Sequence, residues 1–335
     1  MKTIRFITQL FSALSLLTIL SLNSFAAPTN VGVSDQKAGS VLVFPYYKSD
    51  AAGNDTRITI SNTGATTTRV HLFFVDAGCA QADMPICLTA NASTSFLVSE
   101  MDPSNTGYLI AVAIDENGCP IAQNGLIGNA FVSDGTYVGN YGAEAFWAYG
   151  LNSEMATCDT VNMIATLNFN VLNCVGTGLD ALPSQFVAEI QSPNDSVGQK
   201  LVTVGLTGDL ANGVVSTGAA QVGIGLAYND LEKQGSFSSS PWTGACQKSF
   251  IIDLRTPRVP GGLGKLVGVN NQALIPSGRT GTLKWSVAGA VGLIMTPPTG
   301  ANKWEGIRTL HKTNAAIGAL IIPATPASCD AVPTP

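Results

Sequence analysis

The sequence predicts an all-β protein with few helices. Segments of five to eight residues with alternating apolar side chains recur from Gly39 onward, and each is followed by a Gly, Asn, Asp or Pro turn. Charged residues make up only 12% of the chain, a composition that suits short strands and tight turns better than solvated helices. We expect an immunoglobulin-like β-sandwich in residues 27–150 and a second β-rich domain in residues 151–335.

The first 26 residues have the pattern of a secretory signal peptide. Lys2 and Arg5 form a charged start, Ala13–Leu22 is a short apolar run, and Ser24–Ala26 provides a small-residue cleavage site. We therefore expect an exported protein that works in the periplasm, at the cell surface or in the medium, where disulfides persist.

The charge and hydropathy of the chain argue against two classes of partner, nucleic acids and the membrane interior. Cleavage of 26 of the 335 residues removes two of the 17 basic residues and leaves 309 residues, with 15 basic against 22 acidic side chains. The net charge of −7 and the absence of a basic cluster argue against nucleic acid. The longest later apolar run, Val287–Met295, is shorter than the roughly 20 residues that cross a bilayer, so no membrane span is expected in the mature chain.

The strands of the first domain follow from alternation. Arg57–Ser61 and Thr68–Val75 each place apolar side chains on one face, and Asn62–Gly64 between them predicts a hairpin turn. Ser93–Ser99 and Tyr108–Asp115 continue the pattern at intervals that a β-sandwich requires.

A block of better helix formers, Tyr141–Ser153, interrupts this pattern. We expect either a helix here or a segment that links the two domains. Beyond it, alternation predicts further strands at Ile164–Leu172, Lys200–Leu206, Gln221–Tyr228, Ser249–Leu254, Thr282–Val287 and Ala315–Ile322.

All seven cysteines follow the predicted cleavage site, and none forms a C-x-x-C pair. In an oxidising compartment we expect local disulfides. The expected pairs are Cys79 with Cys87, Cys158 with Cys174, and Cys246 with Cys329. Cys119 is then left over, either as a buried inert thiol or as a link between two chains.

One stretch carries aromatic rings close to an amide. Such rings can stack on sugars while amides bond the hydroxyls, although large aromatic residues also fill cores. The candidate ligand-binding residues are Tyr137, Asn140, Tyr141, Trp147 and Tyr149.

One turn offers oxygen ligands for calcium. Asp50, Asn54 and Asp55 have the hard oxygen atoms that this ion prefers, but Asp and Asn are also ordinary turn formers. No other cofactor is expected.

Catalytic motifs are absent from the sequence. The chain has two histidines, His71 and His311, and neither a G-x-S-x-G nor an H-E-x-x-H motif. The segment Gly261–Leu266 is similar to a phosphate loop but lacks the first glycine and the final hydroxyl residue. Acidic pairs such as Asp230 with Glu232 are the basis for a hydrolase hypothesis.

Three short motifs carry a family resemblance. Lys37–Tyr47 (KAGSVLVFPYY), Tyr228–Glu232 (YNDLE) and Thr309–Lys312 (TLHK) resemble those of a loose group of uncharacterised secreted bacterial β-sandwich proteins. The resemblance implies a bacterial, exported β protein and assigns no catalytic residue.

We expect a non-enzymatic exported protein with a structural, adhesive or assembly role at the cell surface. Strand edges such as Gly39–Phe44 or Ala315–Ile322 could pair with a second copy or another surface partner. The alternative is a carbohydrate-binding module, assisted by calcium or not, and the third hypothesis is an extracellular hydrolase.

Overall fold

The structure is a computed structural model that describes residues 32–192, 199–215, 224–238, 246–251, 266–267, 274–286, 289–298 and 305–329. The predicted signal peptide and most of the glycine-rich segment before Leu266 lie outside the described residues. Strands take up 60% of the described residues and helices 4%, which confirms the all-β class. Within the described ranges, no helix has the length and apolar composition needed to cross a bilayer.

The described strands are numbered along the chain. The first thirteen are β1 (Val41–Lys48), β2 (Asp55–Asn62), β3 (Thr68–Asp76), β4 (Gln81–Leu88), β5 (Ser93–Leu97), β6 (Thr106–Ile114), β7 (Leu126–Ser133), β8 (Val138–Gly142), β9 (Glu144–Phe146), β10 (Ala148–Tyr149), β11 (Ala156–Asp159), β12 (Ile164–Val171) and β13 (Gly178–Asp180). The others are β14 (Leu182–Gln191), β15 (Lys200–Gly205), β16 (Gly208–Asp209), β17 (Val214–Val215), β18 (Ile224–Asn229), β19 (Gln234–Ser238), β20 (Gln247–Ile251), β21 (Leu266–Val267), β22 (Thr280–Ser286), β23 (Ala290–Thr296), β24 (Gly306–Thr309), β25 (His311–Ala316) and β26 (Gly318–Pro323). The short helices are α1 (Val98–Met101) and α2 (Asn152–Met155).

These strands form five sheets. Sheet I has the order β4-β3-β6-β1-β9, sheet II β5-β2-β7-β8, and sheet III β10-β13-β12-β26-β16-β17 with β11 beside β12. Sheet IV has the order β20-β15-β23-β24, and sheet V β21-β19-β18-β22-β14-β25. Among the described strand pairs, only β12 with β13 and β16 with β26 are parallel.

Sheet I is the central layer, because both of its faces are buried. Val41 and Val43 of β1 belong to a core shared with sheet III. Leu42 and Phe44 point the other way, into a core shared with sheet II. A strand covered on both faces reads as a continuous apolar run rather than as an alternation, which explains the composition of β1.

Sheets I and II form the predicted sandwich, but three strands lie in the opposite sheet from the constant-type immunoglobulin order. The fourth strand joins the sheet of the first two in that order, whereas here β4 pairs with β3 in sheet I. The first and seventh strands are exchanged. In the constant-type fold the first strand joins the sheet of the second, and the seventh joins the sheet of the sixth. Here β1 pairs with β6, and β7 pairs with β2. The exchange follows from composition, since β1 is buried along nearly its whole length whereas β7 alternates between buried and exposed residues.

Sheets IV and V pack against each other through a third core that includes Phe186, Leu283 and Trp285. The opposite face of sheet IV is also covered, because Val202 and Leu293 belong to the core of sheets I and II. Residues from both sides of position 150 therefore share hydrophobic cores. These contacts do not test the domain boundary that the sequence predicts at position 150, which stays a prediction.

The predicted hairpin between β2 and β3 is wrong. β2 pairs with β5 and β7 in sheet II, whereas β3 pairs with β4 and β6 in sheet I. The connection crosses from one sheet to the other, and Asn62 holds it by donating from Nδ2 to the carbonyl oxygens of Thr66 and Leu88. An Asn-Thr-Gly turn signal predicts a reversal of the chain, but not which sheet receives the next strand.

The block 141–153 is a linking segment rather than a helix. Ala145 and Phe146 pair with β1 at the edge of sheet I, and Ala148 and Tyr149 pair with β13 in sheet III. Only the single turn of α2 follows. Pairing of Phe146 between buried strands outweighs the modest helix propensity of its neighbours.

The two segments that we expected to present unpaired strand edges are mostly paired on both sides. β1 has partners on both sides, β6 and β9, so Gly39–Phe44 presents no open edge. The segment Ala315–Ile322 is split between two strands in different sheets, and β26 likewise has partners on both sides.

The disulfides differ from every expected pair. The structure joins Cys79 to Cys246, Cys87 to Cys329 and Cys119 to Cys158, with Cα–Cα distances of 5.2, 5.5 and 5.7 Å, and leaves Cys174 free and exposed. Cys79 precedes β4 and Cys87 lies near its end, so an extended strand separates them by roughly 20 Å, well beyond disulfide reach. Each disulfide joins a residue before position 150 to one after it.

We predict that the unreduced native protein exposes one reactive thiol, that of Cys174. A thiol reagent should label about one site per chain, and Cys174→Ser should abolish the labelling without lowering the midpoint of thermal unfolding. Peptide mapping of the labelled protein would contradict this pairing if the label were found on Cys119.

A buried ion pair joins the edge of sheet I to the edge of sheet V. The Nζ atom of Lys312 lies 2.6 Å from Oε1 of Glu144, whose side chain is fully buried. Burial raises the pKa of Glu144 to about 7, against the opposing effect of the Lys312 charge. Between pH 4.5 and about pH 7, the folded protein therefore keeps a proton on Glu144 that the unfolded chain releases.

We predict that the protein loses stability as the pH rises through this range. The proton-linked stabilisation is complete below the unfolded pKa of 4.5 and is lost as the pH approaches the folded value of about 7. From pH 5 to pH 8 the loss attributable to Glu144 is about 2 to 3 kcal/mol. Denaturant unfolding of Glu144→Gln should show a correspondingly flatter profile, and parallel profiles for the two proteins would contradict the assignment.

Candidate functional site

A cleft of about 690 Å³ lies over the outer face of sheet II. Its floor is formed by β2, β7 and β8, and its walls by the turn at residues 35–38 and by β24. We call it the sheet II cleft. Thr59, Ser61, Asn129 and Asn140 line the floor, so that hydroxyl and amide groups predominate there.

The alternation of β7 supplies this floor. Leu126, Ala130 and Val132 point into the core, while Asn129 and Phe131 point outward. An antiparallel sheet with one solvated face produces this pattern. Because the inward side chains are locked in a packed core, the outward ones stand on a rigid base.

An exposed ring extends the floor along the same face. Phe131 is 43% exposed and lies between Arg57 and Asn140 in the strand register. The Arg57 guanidinium carbon lies 6.0 Å from the centre of the ring. Sheet II thus presents an apolar ring face with hydrogen-bonding groups on both sides.

Charges in the walls already have partners. Thr309 donates to Asp35 over 2.8 Å, and Lys37 lies 2.5 Å from the buried Asp180. Arg308 lies 3.5 Å from Glu189. The lining therefore favours a polar ligand without strong net charge.

Two amides in the floor have free hydrogen-bonding capacity. Asn129 donates from Nδ2 to the carbonyl oxygen of Tyr141 over 3.1 Å, which orients its Oδ1 atom as an acceptor. Asn140 is exposed, and its side chain has no hydrogen-bond partner among the described residues. These are the donors and acceptors that sugar hydroxyls require.

The structure divides the aromatic candidates between two places. Tyr141 is buried and its hydroxyl donates to the carbonyl oxygen of Tyr46, while Tyr137 is buried too. Trp147 and Tyr149 are partly exposed but lie elsewhere, where the Trp147 backbone N–H and the Tyr149 hydroxyl bind the Asp180 carboxylate. Of the five, Asn140 and Tyr141 line the sheet II cleft.

Tyr137 belongs to a buried cluster around Lys200. The Lys200 ammonium lies 4.5 Å from the ring centre of Tyr46 and 5.7 Å from that of Tyr137. Tyr46 donates to Asp134 over 2.9 Å, and burial lowers the pKa of Lys200. Lys200 lies on β15, so this cluster ties sheet IV to the first sandwich and explains why the two tyrosines are core residues.

The calcium candidates act as turn residues. Asp50 accepts hydrogen bonds from Asn54 and from the backbone N–H of Ala52, and the bond from Asn54 lowers its pKa to about 2. Asp55 instead accepts from Ser99. Within the described ranges, no group of three His, Cys, Asp or Glu residues is arranged to hold a metal ion.

The hydrolase candidates lie at two separate places, neither of them in the sheet II cleft. His71 is buried on β3 and lies 2.6 Å from Asp83, and burial lowers its pKa. His311 and Asp230 line another, smaller cleft, where Asp230 forms a 2.9 Å ion pair with Arg279. The sheet II cleft itself has Asp35 as its one carboxylate among the described lining residues.

Sequence reasoning missed Phe131 and the walls of the cleft. The alternation in Leu126–Ser133 already placed Asn129 and Phe131 on one face, opposite the apolar residues of the same strand. Arg308 lies far away in sequence, and only the packing of β24 beside β8 brings it to the cleft.

Comparisons with known proteins add little. No family model matches the chain, and no curated protein matches it. The chain has a slight similarity to a crystal structure of Thermotoga maritima 1070, with 11% sequence identity and a TM-score of 0.26. The matched region covers 34% of this chain and 97% of the other chain. A likeness this slight supports no inference about function.

Proposed function

We propose that this is an exported, non-catalytic binding protein that holds a neutral carbohydrate in the sheet II cleft and serves adhesion. The observation that carries the proposal is the pair of open amides, Asn129 and Asn140, on the rigid floor of a large cleft, with the exposed Phe131 ring next to the cleft on the same face of sheet II, opposite Asn140 in the strand register. A sugar has an apolar face that stacks on such a ring and hydroxyls that bond to amides.

The cleft is of the size that small-ligand sites commonly have, about 300 to 1,000 Å³. The pairing of its basic wall residues, Lys37 and Arg308, with carboxylates favours a neutral ligand over a polyanion, as does the negative net charge of the chain. Export is proposed from the 26-residue N-terminal pattern, and the disulfides are compatible with an oxidising compartment.

Binding is a better explanation of this cleft than hydrolysis. Glycoside hydrolysis ordinarily requires two carboxylates on opposite sides of the scissile bond. The described lining offers Asp35 alone, and its carboxylate already accepts a hydrogen bond from Thr309. We therefore assign retention of the carbohydrate, not its cleavage, to this cleft.

We predict that Phe131→Ala and Asn140→Ala each weaken binding to a neutral polysaccharide. Loss of the ring should raise the dissociation constant about tenfold, because stacking contributes roughly 1.4 kcal/mol. Loss of the amide should raise it about fivefold, because a single hydrogen bond contributes roughly 1 kcal/mol. A panel of glucans, mannans and xylans identifies the ligand, and isothermal titration calorimetry measures the affinity of each variant.

Trp147→Ala is the matched control, because it removes a partly exposed aromatic residue that does not line the cleft. It should bind as the wild type does, in calcium and in a chelator alike. Loss of binding by Trp147→Ala with retention by Phe131→Ala would move the site to residues 147–149. Sugar release from the bound polysaccharide would contradict a non-catalytic role.

A further inference from the structure

The sheet II cleft adjoins a second cleft, with which it shares two lining residues. The second cleft has a volume of about 670 Å³ and is lined by residues of β14, β22, β23 and β24 and of the segments just before β22 and β24, among them Gln191, Arg279, Thr280 and Glu305. Ile307 and Arg308 line both clefts. The two spaces therefore meet at β24, where sheet II and sheet V approach each other across sheet IV.

Arg308 is held in place at this junction. Its Nη2 atom donates to the carbonyl oxygen of Glu189 over 3.0 Å, and its Nη1 atom lies 3.5 Å from the Glu189 carboxylate. A guanidinium has five N–H donors in a fixed plane, so these contacts to Glu189 leave donors for a ligand. Its side chain is about half exposed.

The far end of the second cleft has a similar pair. Arg279 forms a 2.9 Å ion pair with Asp230. Thr280, beside it, lines both the second cleft and the smaller cleft that contains Asp230 and His311. Both arginines along this path are paired with carboxylates, so the path lacks the uniform positive charge that would attract a polyanion.

The relative position of the two clefts is fixed by packing. Ile307 is buried in the core of sheets I and II although its strand belongs to sheet IV. Gly139 of β8 lies so close that a Cβ atom there would be 3.0 Å from the Ile307 nitrogen. Because the junction is rigid, a ligand that spans both clefts binds without paying for domain closure.

From this shared wall we infer that the ligand is a stretch of a linear neutral polysaccharide, bound across both clefts with Arg308 at the centre, rather than a single terminal sugar. The inference rests on the proposed function, since the sheet II cleft supplies the first subsite. Each cleft alone has the volume of an ordinary small-ligand site, so together they exceed what a terminal sugar occupies.

Calorimetry with neutral gluco-, manno- and xylo-oligosaccharides, from disaccharides to octasaccharides, tests the inference. Affinity should rise about tenfold or more between the disaccharide and the hexasaccharide of the series that binds. Arg279→Ala should lower the affinity for the hexasaccharide about fivefold and leave that for the disaccharide unchanged. Asn140→Ala should weaken every length.

Lys233→Ala, which removes an exposed basic residue outside the clefts, is the control for net charge and should bind all lengths normally. Thermal unfolding of Arg279→Ala, with Arg279→Lys as the conservative variant, checks that sheets IV and V remain folded. Equal affinity for short and long oligosaccharides would overturn the extended site and leave the sheet II cleft as a terminal-sugar site. Failure to bind any neutral glycan would overturn the proposed function as well.

Discussion

The burial of sheet I on both faces is the constraint on which the rest of the structure depends. Val41 and Val43 point to sheet III, and Leu42 and Phe44 point to sheet II. A strand of this kind has no face to give to water, so two further layers must cover it. The first sandwich is therefore incomplete without sheet III, which residues after position 150 mainly build.

The remaining contacts preserve this layered arrangement. The three disulfides each connect residues before position 150 to residues after it. The Glu144–Lys312 ion pair and the Lys200 cluster join the same two parts at other points. Because the layers are fixed at several places, the outer face of sheet II and the neighbouring β24 keep a constant relation, and a cleft between them is preformed rather than assembled on binding.

Alternation was sufficient to predict the class and most of the strands, because a period of two depends only on neighbouring residues. It did not predict sheet membership. The segments β2 and β3 have the composition of a hairpin, yet a short connection crosses between sheets as readily as it reverses within one. The same limit applies to β1 and β7, whose exchange becomes clear only when the burial of both faces is compared.

The site was predicted less well for the same reason. Asn140 was identified from its sequence neighbours, but those neighbours, Tyr137 and Tyr141, point into the core, while the exposed ring beside Asn140 is that of Phe131 on the adjacent strand. Cross-strand neighbours cannot be read from a single segment. The disulfide pairs failed similarly, because loop-closure entropy rises only slowly with separation and stacked layers decide which cysteines meet.

The crossing of two disulfides has a consequence for biogenesis. Cys79 and Cys87 find their partners 167 and 242 residues later. A chain that crosses a membrane from its N-terminus exposes both cysteines to oxidants long before Cys246 or Cys329 arrives. An oxidant that joined cysteines in order of appearance would link Cys79 to Cys87 and prevent β4 from extending. For the export route proposed above, this order of pairing requires either reshuffling of early disulfides by an isomerase or delayed oxidation until the C-terminal strands have been delivered.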